Sequence, residues 1–220
     1  MMRLDAFDAV CFDLGGTLVD SEPLHEQAIQ HVCDPHGVTL TPEDYVALKG
    51  ATTYANFAYI IAQYQLTDVT VEAMVEAKRA IFPALLRQAL TPIPGADAFL
   101  REVKARVPYI GLVTTSPRHT QQMATDRFGW TALFDAIVTV DDVTDAKPHP
   151  EPYLTAASRL GIRPERCLVL EDSISGIRSA VAAGMTVVAL TTSFSAGQVR
   201  EAGASHASDG YPALQRHLDL

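Results

Sequence analysis

Five short apolar runs recur along the chain, each closed by polar or turn residues. They are Ala9–Phe12 before Asp13, Tyr109–Val113 before Thr114, 136–140 before Asp141 and Asp142, 167–170 before Glu171 and Asp172, and Thr186–Leu190 before Thr191 and Thr192. Their hydrophobicity is continuous rather than alternating, which suits strands covered on both faces, as in a parallel sheet. Between them, apolar residues repeat at helical spacing: Phe99, Leu100, Val103 and Val107; Tyr153, Leu154, Ala157 and Leu160; Ile174, Ile177 and Val181. Each set forms one stripe that a helix lays against a sheet. Strand alternating with helix predicts an α/β fold with an open, doubly wound parallel sheet.

The alternation breaks once. Between Phe12 and Tyr109 no strand-like run of comparable strength occurs. Instead Leu24, Ala28 and Val32, then Phe57, Ile60, Ile61 and Tyr64, then Val71, Met74, Val75, Phe82, Leu85 and Leu86 repeat at helical spacing. This predicts a helical module over residues 21–87, inserted after the first strand and ending near the breaker Thr91-Pro-Ile-Pro-Gly95. The α/β core then comprises residues 1–20 and 88–220. Over residues 21–85 the module carries eight Asp and Glu against three Lys and Arg, so its average surface is acidic.

A chain of 220 residues is long enough for one sizeable core with a small appended module. Lys+Arg 17 against Asp+Glu 26 gives a formal charge of -9, the wrong sign for wrapping nucleic acid or for an anionic membrane surface. Cys11, Cys33 and Cys167 lie far apart. Cys11 and Cys167 sit inside apolar runs, where a thiol packs as a small hydrophobe, and no Cys/His spacing suggests zinc. The start has no apolar signal-peptide core, and no stretch approaches the ~18 apolar residues of a spanning helix. The expectation is a soluble cytoplasmic protein, monomeric or weakly dimeric, in which a local cluster of cations could still bind a small phosphorylated metabolite.

In such sheets ligands bind outside the carboxyl ends of the strands. Those ends carry Asp13, Thr114, Asp141 with Asp142, and Glu171 with Asp172, and Lys147 follows the third. Carboxylates brought that close repel unless a cation sits among them, and a hard dication with oxygen ligands answers the need. Any one of these acids, taken alone, is equally an ordinary cap of the next helix; the full set points to a site.

The segment Asp13-Leu-Gly-Gly-Thr-Leu-Val-Asp20 resembles the first motif of the haloacid dehalogenase superfamily, Asp-x-Asp-Gly-Thr-(Leu/Val)-x-Asp, except at Gly15. Gly111-Leu-Val-Thr114, Lys147-Pro-His-Pro150 and Glu171-Asp-Ser-Ile-Ser-Gly-Ile177 resemble its second, third and fourth motifs in order. The resemblance covers nearly the whole chain and is to the phosphatase and sugar phosphomutase branch, which has a Rossmann-like core and a small helical cap. The entry Asp20-Ser-Glu-Pro-Leu-His25 and the segment Leu48-Lys-Gly50 fit that branch too. The resemblance implies that Asp13 attacks phosphorus and becomes an aspartyl phosphate. It implies Mg2+ held by Asp13, Asp172 and the Gly15 carbonyl, with Glu171 acting through water. It further implies that Thr114 donates to a phosphoryl oxygen, that Lys147 places charge between Asp13 and the phosphate, and that the amides of residues 14–16, including Gly16, cradle that group.

Gly15 departs from the family where phosphatases and mutases carry the Asp that protonates the leaving alcohol. Glycine keeps a carbonyl for the metal but provides no proton, so the expectation is a slow hydrolase of alkyl phosphates. Glu22 and His25 are candidate substitutes. Substrate-binding candidates are His25, Lys49, Thr115, Ser116 and Arg118; Lys78 and Arg79 could also reach the far end of a small anion, with a solvated helix face the slightly favoured reading. The sugar phosphomutases carry an Arg, and the phosphonoacetaldehyde hydrolases a Schiff-base Lys, three positions after the cap glycine; Thr53 stands there. The dehalogenases carry Tyr at position 15 and need no metal. The reading is therefore a Mg2+-dependent hydrolase of a small phosphomonoester, such as a sugar phosphate or phosphoglycolate. Its rivals are a non-catalytic protein that binds phosphate and metal and, less well supported, a phosphonatase- or dehalogenase-type hydrolase.

Overall fold

Each of the five apolar runs forms a strand in the computed structural model, which describes residues 2–48 and 52–220. In chain order the strands are β1 (Ala9–Phe12), β2 (Val19–Asp20), β3 (Thr91–Pro92), β4 (Tyr109–Val113), β5 (Ala136–Val138), β6 (Cys167–Glu171), β7 (Thr186–Leu190) and β8 (His206–Ser208). Among the described residues, six of them form one parallel sheet in the order β5-β4-β1-β6-β7-β8, and β2 pairs antiparallel with β3 as a separate ribbon. The chain fills the sheet on one side of β1 and then crosses to the other. β1 thus lies where the strand order reverses, the place where open α/β sheets leave a crevice at their carboxyl ends.

The helices are α1 (Glu22–Cys33), α2 (Pro42–Leu48), α3 (Thr53–Gln63), α4 (Val71–Ala89), α5 (Ala96–Arg106), α6 (Arg118–Arg127), α7 (Glu151–Leu160), α8 (Ile174–Ala182), α9 (Ala196–Glu201) and α10 (Tyr211–Leu218). Their ends follow local chemistry. The Ser173 hydroxyl accepts from Gly176 N to start α8, and Thr52 and Thr70 cap α3 and α4 in the same way. Gly161, at φ 69°, closes α7 in the left-handed conformation that glycine adopts without strain.

The chain divides into two units, Met1–Asp20 with Thr91–Leu220, and Ser21–Leu90. In the sheet unit, Tyr153, Ala156 and Leu160 of α7, Ile177 and Ala180 of α8 and Val199 of α9 pack with Cys11, Val113, Val169 and Val187. Phe99 of α5 stacks edge-on against Phe12 at 6.3 Å and tilted against Tyr211 at 4.9 Å. Trp130 is fully buried, its indole N–H donating to Asp97 at 2.7 Å. In the helical unit, Ile29, Val32, Val38, Leu40, Leu48, Phe57, Ile60 and Met74 form a separate core. The three cysteines are buried and free. No helix among the described residues is long and apolar enough to cross a membrane.

Four details differ from the sequence pattern. β5 stops at Val138, because the Thr139 N–H and hydroxyl both donate to Asp142 in a capping box that turns the chain. β8 has only three residues, two of them polar, too little pattern to read as a strand. Leu154 and Val181, although in helical register, are each 42% exposed. α4 runs to Ala89, past residue 87.

Replacing a fully buried aromatic such as Phe99 by Ala removes both transfer energy and packing, at about 3–5 kcal/mol. Leu154→Ala, at a position that only the pattern assigns to the core, is expected to cost under about 1 kcal/mol. Urea denaturation of the two variants measures the contrast.

Candidate active site

Asp13 directly follows β1, Asp172 follows β6 on one side of it, and Thr114 follows β4 on the other. All three open at the carboxyl ends of adjacent strands. Lys147, from the loop between β5 and α7, joins them. Its Nζ donates to Asp13 Oδ1 at 2.7 Å, to Glu171 Oε1 at 2.7 Å and to the Val113 carbonyl at 2.8 Å. That uses all three ammonium protons on a side chain only 2% exposed.

Glu171 is saturated. Oε1 also accepts from the Tyr153 hydroxyl at 3.0 Å, while Oε2 accepts from Asp172 N, Ser173 N and Ser173 Oγ, each at 3.0 Å. A carboxylate offers about four lone-pair sites. Glu171 therefore acts as a clamp on Lys147, and the lone pairs left for a metal belong to Asp13 and Asp172. Carboxylate oxygens of Asp13, Glu171 and Asp172 all lie within 4.8 Å of one another.

Three buried carboxylates face one ammonium, and the surplus negative charge shows in their protonation. Burial lifts Asp13 to about 7, with Glu171 adding to the rise and Lys147 opposing it. Burial, then Glu171 and Asp13, pushes Asp172 well above the ordinary carboxyl range. Burial also disfavours charge on Glu171, but Lys147 and the Ser173 donors hold it below its ordinary value. Lys147 stays charged because Asp13 and Glu171 outweigh its desolvation. An all-oxygen, anionic set short of one counterion suits a hard divalent cation.

Two glycines make room for this cluster. A Cβ on Gly176 would come 1.6 Å from Glu171 Oε1, and one on Gly16 would come 2.0 Å from Asp172 Oδ2. Gly16 also has φ +72°, and its N–H closes a tight turn onto the Val19 carbonyl at 2.8 Å. Gly15, one residue earlier, bridges to Val19 and places no titratable group in the turn.

The remaining sequence candidates fall in different places. Thr114 is buried, its Oγ1 accepting from Ser116 N at 3.1 Å, with Thr115 exposed and Ser116 half-buried beside it. Asp141 and Asp142 do not join the carboxylate cluster. Asp141 accepts from Arg118 N, and Asp142 pairs with both Arg118 and Arg159 at 2.6–2.8 Å. The Arg118 guanidinium is thereby engaged with Asp142. Lys49 lies outside the described residues.

In the helical unit, Lys78 is a correction to the solvated-face reading. Its spacing from Met74 and Phe82 places it on the inner stripe of α4, and it is 5% exposed, whereas Arg79 points to solvent. Its Nζ lies 3.1 Å from His25 Nδ1, 3.4 Å from Thr53 Oγ1 and 5.5 Å from the centre of the Phe82 ring, on which His25 stacks at 4.2 Å. Burial lowers Lys78 to about 8, against the opposing charge of Glu22. Burial and the neighbouring ammonium lower His25 to about 3.

Sequence reasoning passed over Thr17, Tyr153, Thr192 and Ser193. The Thr17 and Ser193 hydroxyls donate to Asp172, Tyr153 to Glu171, and Thr192 to the Gly16 carbonyl. The available signal was the hydroxyl-rich run that follows β7.

A family model for haloacid dehalogenase-like hydrolases matches residues 10–190. The chain is 30% identical over 184 residues to the fructose-1-phosphate phosphatase YqaB of Escherichia coli K12, covering 84% of this chain and 96% of that protein. It is 34% identical over 203 residues to the validoxylamine A 7'-phosphate phosphatase of Streptomyces hygroscopicus subsp. limoneus, covering 89% and 91%. The crystal structure of a HAD family hydrolase from Deinococcus radiodurans R1, with bound phosphate and sodium, superposes with a TM-score of 0.79 at 29% identity, covering 97% of this chain and 95% of that one.

Gly176→Ala is expected to displace Glu171 and destabilise the fold by about 1–3 kcal/mol or more, read by urea denaturation. For Lys78 the fold holds the proton less tightly than the unfolded chain, whose lysine titrates at its ordinary 10.5. Stability therefore rises as pH climbs from about 8 toward 10.5. Lys78→Met should remove that rise, measured by denaturation midpoints on either side of the interval.

Proposed function

The chain belongs to the haloacid dehalogenase-like hydrolase family, and on that premise we propose that it hydrolyses a small phosphorylated carbohydrate with Asp13 as nucleophile and Mg2+ at the Asp13 and Asp172 carboxylates. It is a phosphoric monoester hydrolase, as its phosphatase relatives are. The observation that carries the reading is the buried Asp13–Lys147–Glu171 bridge with Asp172 beside it, an anionic cluster one cation short of balance.

Lys147 occupies Asp13 Oδ1, orients the carboxylate and lowers the repulsion between it and an anionic substrate. In the first step an Asp13 oxygen bonds to phosphorus as the bond to the sugar oxygen breaks, and the departing alkoxide takes a proton from solvent. In the second, water attacks phosphorus as the bond to the Asp13 oxygen breaks, giving up a proton to solvent, releasing phosphate and restoring the carboxylate. The ion, when bound, neutralises charge shared by nucleophile and phosphate. The Gly15 carbonyl and the two carboxylates are its proposed protein ligands. Thr114 and the amides of Leu14 and Gly15 hold the phosphoryl oxygens, the Gly16 N–H being taken by the Val19 carbonyl, and Thr115 and Ser116 extend that binding surface. His25 and Lys49 are the proposed substrate contacts of the helical unit.

Gly15 leaves the departing alkoxide without a side-chain acid. General acid–base help is worth about 10²–10⁴-fold, so turnover should depend on the leaving group. The same gap favours a second reading, in which the site binds phosphate and metal without turnover.

Intact mass after exposure to phosphate esters separates the two. The expected result is a one-phosphoryl adduct that is lost in Asp13→Asn, with aryl phosphates cleaved faster than hexose phosphates. Gly15→Asp should raise hexose phosphate turnover by about 10²-fold or more. Absence of both adduct and turnover in every variant supports the binding-only reading. Equal rates on aryl and hexose phosphates at saturating Mg2+ overturn the missing-acid argument.

A further inference from the structure

The carboxyl end of β7 contributes hydroxyls to the cluster rather than carboxylates. Ser193 Oγ donates to Asp172 Oδ2, and Thr17 Oγ1 donates to Asp172 Oδ1 at 3.3 Å. One residue before Ser193, Thr192 Oγ1 donates to the Gly16 carbonyl at 2.5 Å. The Tyr211 hydroxyl in turn donates to the Thr17 carbonyl at 2.8 Å. Ser193 is thus tied to Asp172, and Thr192 to the turn that follows the nucleophile.

Asp172 is 3% exposed, and Lys147 donates its protons elsewhere. Its carboxylate is confined on one side by Gly16, where even a Cβ would come within 2.0 Å of Oδ2, and on the other by Ser193. A hydroxyl has one proton to give, so each Asp172 oxygen is oriented by its donor and keeps lone pairs for a further bond. A lysine in the same place would neutralise the charge that a cation needs. Hydroxyls fix direction and leave the charge.

We propose that Ser193, backed by Thr17, is a positioning residue that holds the Asp172 carboxylate in place for a divalent cation, so that Thr192 and Ser193 set how tightly the site keeps that ion. This rests on the metal-dependent reading above. Groups that orient a metal ligand in this way, when removed, typically cost 10–100-fold in metal affinity.

The test is Mg2+ titration calorimetry on the full chain without substrate, together with Mn2+ binding followed by electron paramagnetic resonance. Ser193→Ala is expected to weaken binding of both ions about 10–100-fold, and the Mg2+ concentration that half-saturates phosphatase activity should rise by the same factor. Ser193→Thr, which keeps the hydroxyl, should bind near wild type. Thr17→Val, which removes the longer of the two contacts, should weaken binding by less than Ser193→Ala and gives an independent reading if the serine variant folds poorly. Asp172→Asn separates the two levels of the argument. If it loses the ion while Ser193→Ala and Thr17→Val bind as wild type, the positioning role is overturned and the metal reading stands. If Asp172→Asn binds as wild type, the metal reading falls and the positioning role falls with it.

Discussion

The sheet unit is organised around one ammonium group. Lys147 satisfies Asp13, Glu171 and the Val113 carbonyl at once, on a side chain that is almost fully buried. Desolvating such charges costs several kcal/mol per ion, and removing one partner of a buried pair leaves the other uncompensated at about 3–5 kcal/mol. The arrangement is stable only because every proton and nearly every lone pair is used, with Tyr153 and the Ser173 donors completing Glu171. Asp13 and Asp172 are where the accounting fails to close, and they sit at the strand ends that face the crevice.

Packing around this cluster consists as much of missing atoms as of present ones. Gly16 and Gly176 leave the volume that the Asp172 and Glu171 carboxylates fill. Hydroxyls from three separate segments, at Thr17, Tyr153 and Ser193, then aim those carboxylates. Asp172 is thereby aimed by the short hydroxyl side chains of Thr17 and Ser193, which keeps the cost in side-chain entropy low. Such preorganisation is what electrostatic stabilisation of a phosphoryl group requires.

The two units differ in how they treat buried charge. In the sheet unit the lysine has two carboxylate partners and is held charged. In the helical unit Lys78 meets the His25 ring nitrogen and the Thr53 hydroxyl, and burial draws its proton affinity down. The same residue type is thus a fixed cation in one unit and an amine that titrates not far above neutrality in the other. The partners within reach decide between the two.

The five runs that became β1, β4, β5, β6 and β7 were legible because a strand buried on both faces must be apolar throughout. Asp13, Thr114, Lys147, Glu171 and Asp172 were legible because ligand chemistry collects at the carboxyl ends of such strands. Gly15 was legible as a departure from the motif that the family resemblance supplied. β8 was not legible, being short and mostly polar, and neither was the burial of Lys78, since charge alone suggests solvent and only its place on α4 contradicts that. Whether Asp142 joined the site or paired with Arg118 and Arg159 depended on where distant segments met. So did the saturation of Glu171 and the grip of Ser193 on Asp172, contacts between residues far apart in the chain. Residue type and spacing determined which groups reached the strand ends; hydrogen-bond partnership, which depends on distances of a few ångströms across separate segments, was decided only by the tertiary structure.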